Sequence, residues 1–131
     1  MFELSQRFFF EAAHTLPREH DAPASARVHG HTYLAEVTLA GTPDPVTGMV
    51  ADLALIRSEL ARLHDELDHH LLDTVADLGA PTLENLAALI ARRLSGRLPG
   101  LSRVRVWREQ TGDSCVLDAR SYLRSRNLTS A

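Results

Sequence analysis

Apolar and polar residues alternate at both ends of the chain, and in the middle their spacing changes. The stretch from Phe2 to Ala13 reads as a strand, with Arg7-Phe8-Phe9-Phe10-Glu11-Ala12-Ala13 as its core and His14 closing it. A second strand runs from His29 to about Ala40. Side chains at i and i+2 share a face of a strand, so His29, His31, Tyr33, Ala35, Val37 and Leu39 project together. Gly41, Pro43, Asp44, Pro45 and Gly48 punctuate a turn. Beyond it, Leu53, Ile56, Leu60, Leu63 and Leu67 recur at helical spacing, with Asp52 placed to cap. A second helix opens at Pro81-Thr82, with Thr82 as N-cap, and carries Leu83, Leu86, Ala87, Ile90 and Leu94; Gly96 and Pro99 end it. Two further strands, about Ser102 to Glu109 and Ser114 to Ser121, flank Thr111-Gly112-Asp113.

The order ββααββ predicts an α+β domain, a four-stranded antiparallel sheet with both helices on one face. Such a sheet has two edges to protect, which points to edge-to-edge assembly. The polar excursion from Thr15 to Val28, with Pro17 and Pro23, is long for a hairpin loop. Long loops beside a site are often functional.

Composition narrows the picture. With 131 residues, 44% of them hydrophobic, the chain suits a single domain over 1–131 with one core. Lys and Arg number 14 against 17 Asp and Glu, a net charge of −3, and no basic stripe is visible, so nucleic acid is not an expected partner. Arg92, Arg93, Arg97, Arg103, Arg105 and Arg108 cluster late in the chain and read as a solvated surface ahead of a phosphate site. One cysteine, Cys115, excludes a disulfide within the chain and multi-cysteine zinc sites; it reads as a buried, inert thiol. The first residues lack the pattern of a signal peptide and no apolar stretch approaches a membrane span, so the cytoplasm is the default location.

The candidate chemistry centres on histidine. His29-Gly30-His31 puts two imidazoles on one strand face with no bulk between them. If the first two strands pair antiparallel, His14 joins them. Three neutral imidazoles with an open fourth position is the donor set of a catalytic zinc site. In Leu67-Asp68-His69-His70, Asp68 can orient the His69 ring and raise its basicity, or the segment can be a solvated helix end. Glu109 ends a strand that carries Trp107 on the same face; it can accept from a ligand amidine or be a surface acid.

Six segments in order carry a resemblance: Phe10-Glu11-Ala12-Ala13-His14, His29-Gly30-His31, Gly48-Met49-Val50-Ala51-Asp52-Leu53, Leu67-Asp68-His69-His70, Pro81-Thr82-Leu83-Glu84-Asn85 and Arg108-Glu109. The chain resembles the 6-pyruvoyltetrahydropterin synthase family, which includes the bacterial 6-carboxytetrahydropterin synthases of the queuosine pathway. The resemblance implies the tunnelling fold, with subunits joined edge to edge as a trimer, or two stacked trimers as a hexamer. It implies zinc at His14, His29 and His31, a catalytic dyad of Asp68 and His69, and a pterin held by Glu109 and contacted by Thr82. It implies 7,8-dihydroneopterin triphosphate as substrate.

One position departs from the family. Its principal base is a cysteine, four residues ahead of the first histidine of His-Gly-His in bacterial members; here that residue is Ser25. A thiol has a reference pKa of about 8.5, whereas a serine hydroxyl is almost never ionised near neutrality. Other family members use glutamate and cleave the side chain; Glu19 lies in the excursion, out of register. Three readings follow: a zinc-dependent lyase with Ser25 in place of cysteine, a retro-aldol enzyme releasing 6-hydroxymethyl-dihydropterin, and a zinc-bearing pterin-binding protein without efficient turnover.

Overall fold

The computed structural model describes residues 1–20 and 22–130, the last three by backbone alone. Strands β1 (Phe2–His14), β2 (His29–Gly41), β3 (Leu101–Arg108) and β4 (Asp113–Asp118) form one antiparallel sheet in sequential order. Helices α2 (Leu53–Leu67) and α3 (Leu83–Leu94) pack against it, α2 on β1 and α3 on β3 and β4. The ββααββ α+β core is as the periodicity predicts.

The register explains why one face becomes core. Phe10 pairs with Tyr33 and Ala35 pairs with Val106, so their side chains fall on the same side of the sheet. There they meet Ile56, Leu60, Leu63 and Leu67 of α2 and Leu86, Leu89, Ile90 and Leu94 of α3, all buried. The opposite face carries Arg7, Phe9, Arg105 and Trp107, with Arg105 stacked 4.2 Å above the indole. Asp52 caps α2 by accepting from Ala54 N at 2.8 Å, and Thr82 caps α3 by accepting from Asn85 N at 3.1 Å. A register shift at Thr38/Leu39 is matched by the turn into β3. Gly100 there has φ +80° and accepts from Ala40 N; a Cβ would lie 2.7 Å from the Ala40 carbonyl, so only glycine fits.

Three predicted features are corrected. The excursion contains a short helix, α1 (Ala22–Ala26). The last strand stops at Asp118, and Ser121, expected in it, lies in a helix, α4 (Ala119–Ser130). The Asp118 carboxylate receives Ser121 N and Oγ, both at 3.1 Å, which starts a helix and ends pairing. The arginines are not a uniform solvated surface. Arg93 forks onto Glu66, and the Arg108 side chain is only 15% exposed.

Segment 68–71 also departs from a free helix end. It turns back along the outer edge of β1, with His69 N donating to Glu11 O, Ala13 N donating to His70 O, and a parallel bridge from Ala13 to Leu71. His69 makes this turn at φ 56°, a conformation uncommon outside glycine.

Candidate metal centre and its flanking cavities

The pairing of His14 with His29 at the end of β1 and β2 brings the three imidazoles together. His14 Nε2 lies 3.0 Å from His29 Nε2 and 3.1 Å from His31 Nε2. Among the described residues, these are the histidines whose ligand atoms all fall within 4.8 Å of one another.

Their outer contacts fix the protons. His14 Nδ1 lies 2.9 Å from the Pro81 carbonyl, and His29 Nδ1 lies 2.7 Å from the Arg27 carbonyl. A carbonyl can only accept, so both Nδ1 atoms carry the hydrogen, which in the neutral ring leaves Nε2 bare. His31 Nε2 receives Arg108 Nη1 at 3.1 Å, and a guanidinium only donates, so this nitrogen is bare as well. Three lone pairs converge on one point with no proton between them. A cation at that point reconciles them, and a backbone carbonyl behind a ligating imidazole is the usual way to orient it. The residues fit a divalent metal held by three neutral nitrogens. Burial, followed by the nearby Arg108 charge, pushes His31 down to about 4. Burial likewise holds His14 below its ordinary value. Both rings are therefore neutral and ready to ligate near neutral pH.

The triad sits between two cavities. His31 lines one of about 500 Å³, together with Glu11, Thr32, His69 and Leu71. His14 lines the other, about 490 Å³, with Tyr33, Thr82, Arg108 and Cys115. Behind His69 of the first cavity, Asp68 Oδ2 receives His69 Nδ1 at 2.7 Å while Oδ1 receives Glu11 N at 2.8 Å. The Glu11 amide, then His69, hold the Asp68 carboxyl below the usual carboxylate range. In return Asp68 raises His69. The bond leaves His69 Nε2 as the free basic atom.

The other predicted residues lie apart. Glu109 is exposed in the turn after β3, and its Oε1 receives Trp107 Nε1 at 3.1 Å. It is in the wall of neither cavity, although Arg108 and Gln110 on either side each line one. Ser25 is buried in α1, with its hydroxyl 3.4 Å from the Ala22 carbonyl and its own carbonyl receiving Leu16 N. It lines neither of these two cavities. Glu19 is exposed. Cys115, expected to be buried, is only half-buried and lines the second cavity, and partial burial raises its thiol. Sequence reasoning placed Tyr33 on the histidine face and gave it no role, and it missed the Pro81 carbonyl and the inward turn of Arg108. Alternation along β3 from Val106 could have flagged the last of these.

Comparison with known proteins identifies the family. The family model described as 6-pyruvoyl tetrahydropterin synthase matches residues 3–120. A 6-carboxy-5,6,7,8-tetrahydropterin synthase of Synechocystis is 37% identical over 128 residues, covering 93% of this chain and 94% of that protein. A dihydroneopterin monophosphate aldolase of Pyrococcus furiosus is 34% identical over 104 residues, 77% of this chain and 84% of that one. The solved structure of Caenorhabditis elegans 6-pyruvoyl tetrahydropterin synthase superposes with a TM-score of 0.76 at 26% identity, covering 89% of this chain and 94% of the other. The chain belongs to the 6-pyruvoyl tetrahydropterin synthase family.

Proposed function

We propose that this protein is a zinc-dependent lyase of pterin metabolism that acts on the side chain of 7,8-dihydroneopterin triphosphate. The observation that carries the reading is the convergence of three bare Nε2 atoms beside open cavities, those of His29 and His31 lying 3.0 and 3.1 Å from that of His14. His14, His29 and His31 would hold the metal. Zinc bound there supplies a Lewis acid and template for the side-chain hydroxyls, easing loss of the neighbouring C–H proton. His69, held in one tautomer by Asp68, takes up and returns that proton. Thr82, at the N-terminus of α3, contacts the pterin. The exposed Glu109 carboxylate accepts N–H groups from the edge of the ring.

Glu109 provides the test of the pterin assignment. Glu109→Gln is expected to weaken pterin binding by about 1.5–3 kcal/mol, the scale of a hydrogen bond to a charged group. Calorimetric titration at matched zinc content measures it. Unchanged affinity would contradict the assignment.

Ser25 favours a second reading of the product. The family's thiol is replaced by the hydroxyl of Ser25, a residue 1% exposed, with Oγ 3.4 Å from the Ala22 carbonyl. A positioned base is worth about 10²–10⁴-fold. Elimination toward 6-pyruvoyl- or 6-carboxytetrahydropterin is therefore slow, and side-chain cleavage to 6-hydroxymethyl-dihydropterin competes with it. The similarity to a relative named as an aldolase supports that alternative. Ser25→Cys should raise the elimination activity at least tenfold in single-turnover comparison at equal zinc content. Equal rates in the two proteins would show that the chain already has its base.

Assembly as a homotrimer or homohexamer completes the proposal. The outer edge of β4 is unpaired among the described residues, and segment 69–71 covers β1 only near Ala13. Joining these edges would bury Phe9, which is 58% exposed. Sedimentation at micromolar concentration should show no stable monomer; a monodisperse monomer would contradict it. No helix among the described residues is long and apolar enough to cross a membrane. We place the enzyme in the cytoplasm.

A further inference from the structure

Arg108 sits at the end of β3, two residues beyond the buried Val106 and on the same face. Its Nη2 donates to Asp113 Oδ2 at 2.5 Å and its Nη1 to His31 Nε2 at 3.1 Å. Its Nε is buried and has no acceptor among the described residues.

The guanidinium and a metal ion need the same lone pair on His31. Once a metal takes it, Nη1 loses that acceptor, and Nε already lacks one. Two donors of a fixed cation then stand beside a second cation. Like charges at this distance repel unless an anion lies between them. The neighbouring charges do not supply one. Glu84 and Asp113 offset Arg18 and Arg108 in the cavity wall, and Asp73, held by Thr15 near His14, offsets one unit more. On this side of the triad a divalent metal still leaves positive charge uncompensated, since the Glu11 carboxylate lines the other cavity.

We propose that Arg108 is the oxyanion-binding residue of the site. It would take a carboxylate or phosphate oxygen of the ligand that enters the cavity shared by Arg18, Thr82 and Cys115 and reaches the open side of the metal. This rests on the metal-centre reading above. Arginine suits the role because it stays charged and presents several donors in a rigid plane.

Cobalt(II)-loaded protein tests this without turnover or a pterin. Glycolate is titrated in one arm and inorganic phosphate in the other, following the visible cobalt absorption, in wild type, R108K and R108M. Wild type should give a saturable spectral change with at least one anion. R108M should bind that anion about tenfold more weakly or worse. R108K, which keeps the charge but loses the fork, should fall between, and it carries the comparison if R108M loads poorly. A response to glycolate alone identifies a carboxylate tail, and a response to phosphate alone identifies a phosphorylated one. Equal affinities across the three proteins, or no response of loaded wild type to either anion, would overturn the proposal and leave the metal centre standing. Failure of wild type to take up cobalt would overturn both.

Discussion

The His29→Ala variant is expected to lose its zinc on dialysis and to turn over at least 10³-fold more slowly, since a bound metal supplies several kcal/mol of transition-state stabilisation. His29 is chosen because it lies at the start of β2 and is only partly buried, so its removal leaves the core intact. With Nδ1 committed to the Arg27 carbonyl, its one contribution to the cluster is a bare Nε2. Removing it leaves two ligands, too few for a stable site. Zinc per chain by emission spectroscopy and the thermal melt are the paired measurements. Zinc lost with a melting curve close to that of the metal-free wild type is the expected result. Full zinc retention would show that the metal lies elsewhere. Ligation requires neutral imidazoles, so acid should release the metal, and burial, which holds His14 and His31 below the ordinary histidine value, delays their protonation.

The second large effect belongs to Asp68 and His69. His69→Ala should lower turnover about 10²–10⁴-fold, the worth of a positioned general base, with zinc content unchanged. The pH profile separates this role from a structural one. Asp68 raises His69, and a base works only when deprotonated. Activity should therefore rise with pH along a limb centred above the ordinary histidine value of about 6.5. Asp68→Asn removes the charge that raises it, so the limb should move to lower pH as the maximum rate falls. Unequal effects on rate and zinc, together with that shift, identify a catalytic pair. An unmoved limb would remove His69 from the role.

Sequence reasoning reached the elements whose signals are local. Strand alternation placed His29, His31 and Tyr33 on one face, and Asp52 and Thr82 announced their helices. The sheet order then required only antiparallel pairing for His14 to arrive. What it could not reach depends on contacts across the fold. The Pro81 carbonyl that orients His14 belongs to the backbone and has no residue-type signature. Alternation from Val106 puts Arg108 on the core side of β3, but only the pairing of β3 with β2 carries it beside His31. Helix α4 depends on two hydrogen bonds from Ser121 to Asp118, in a stretch whose alternation favoured a strand. Ser25 could be identified as a departure from the family, but its burial in α1 required the structure.

Mass analysis of a single incubation tests the central claim most directly. Zinc-loaded protein is mixed with 7,8-dihydroneopterin triphosphate, beside a chelator-stripped sample. The account predicts that only the zinc-loaded sample consumes the substrate, giving an eliminated tetrahydropterin or 6-hydroxymethyl-dihydropterin. Substrate recovered intact from the zinc-loaded sample, or equal conversion in the stripped one, would contradict it.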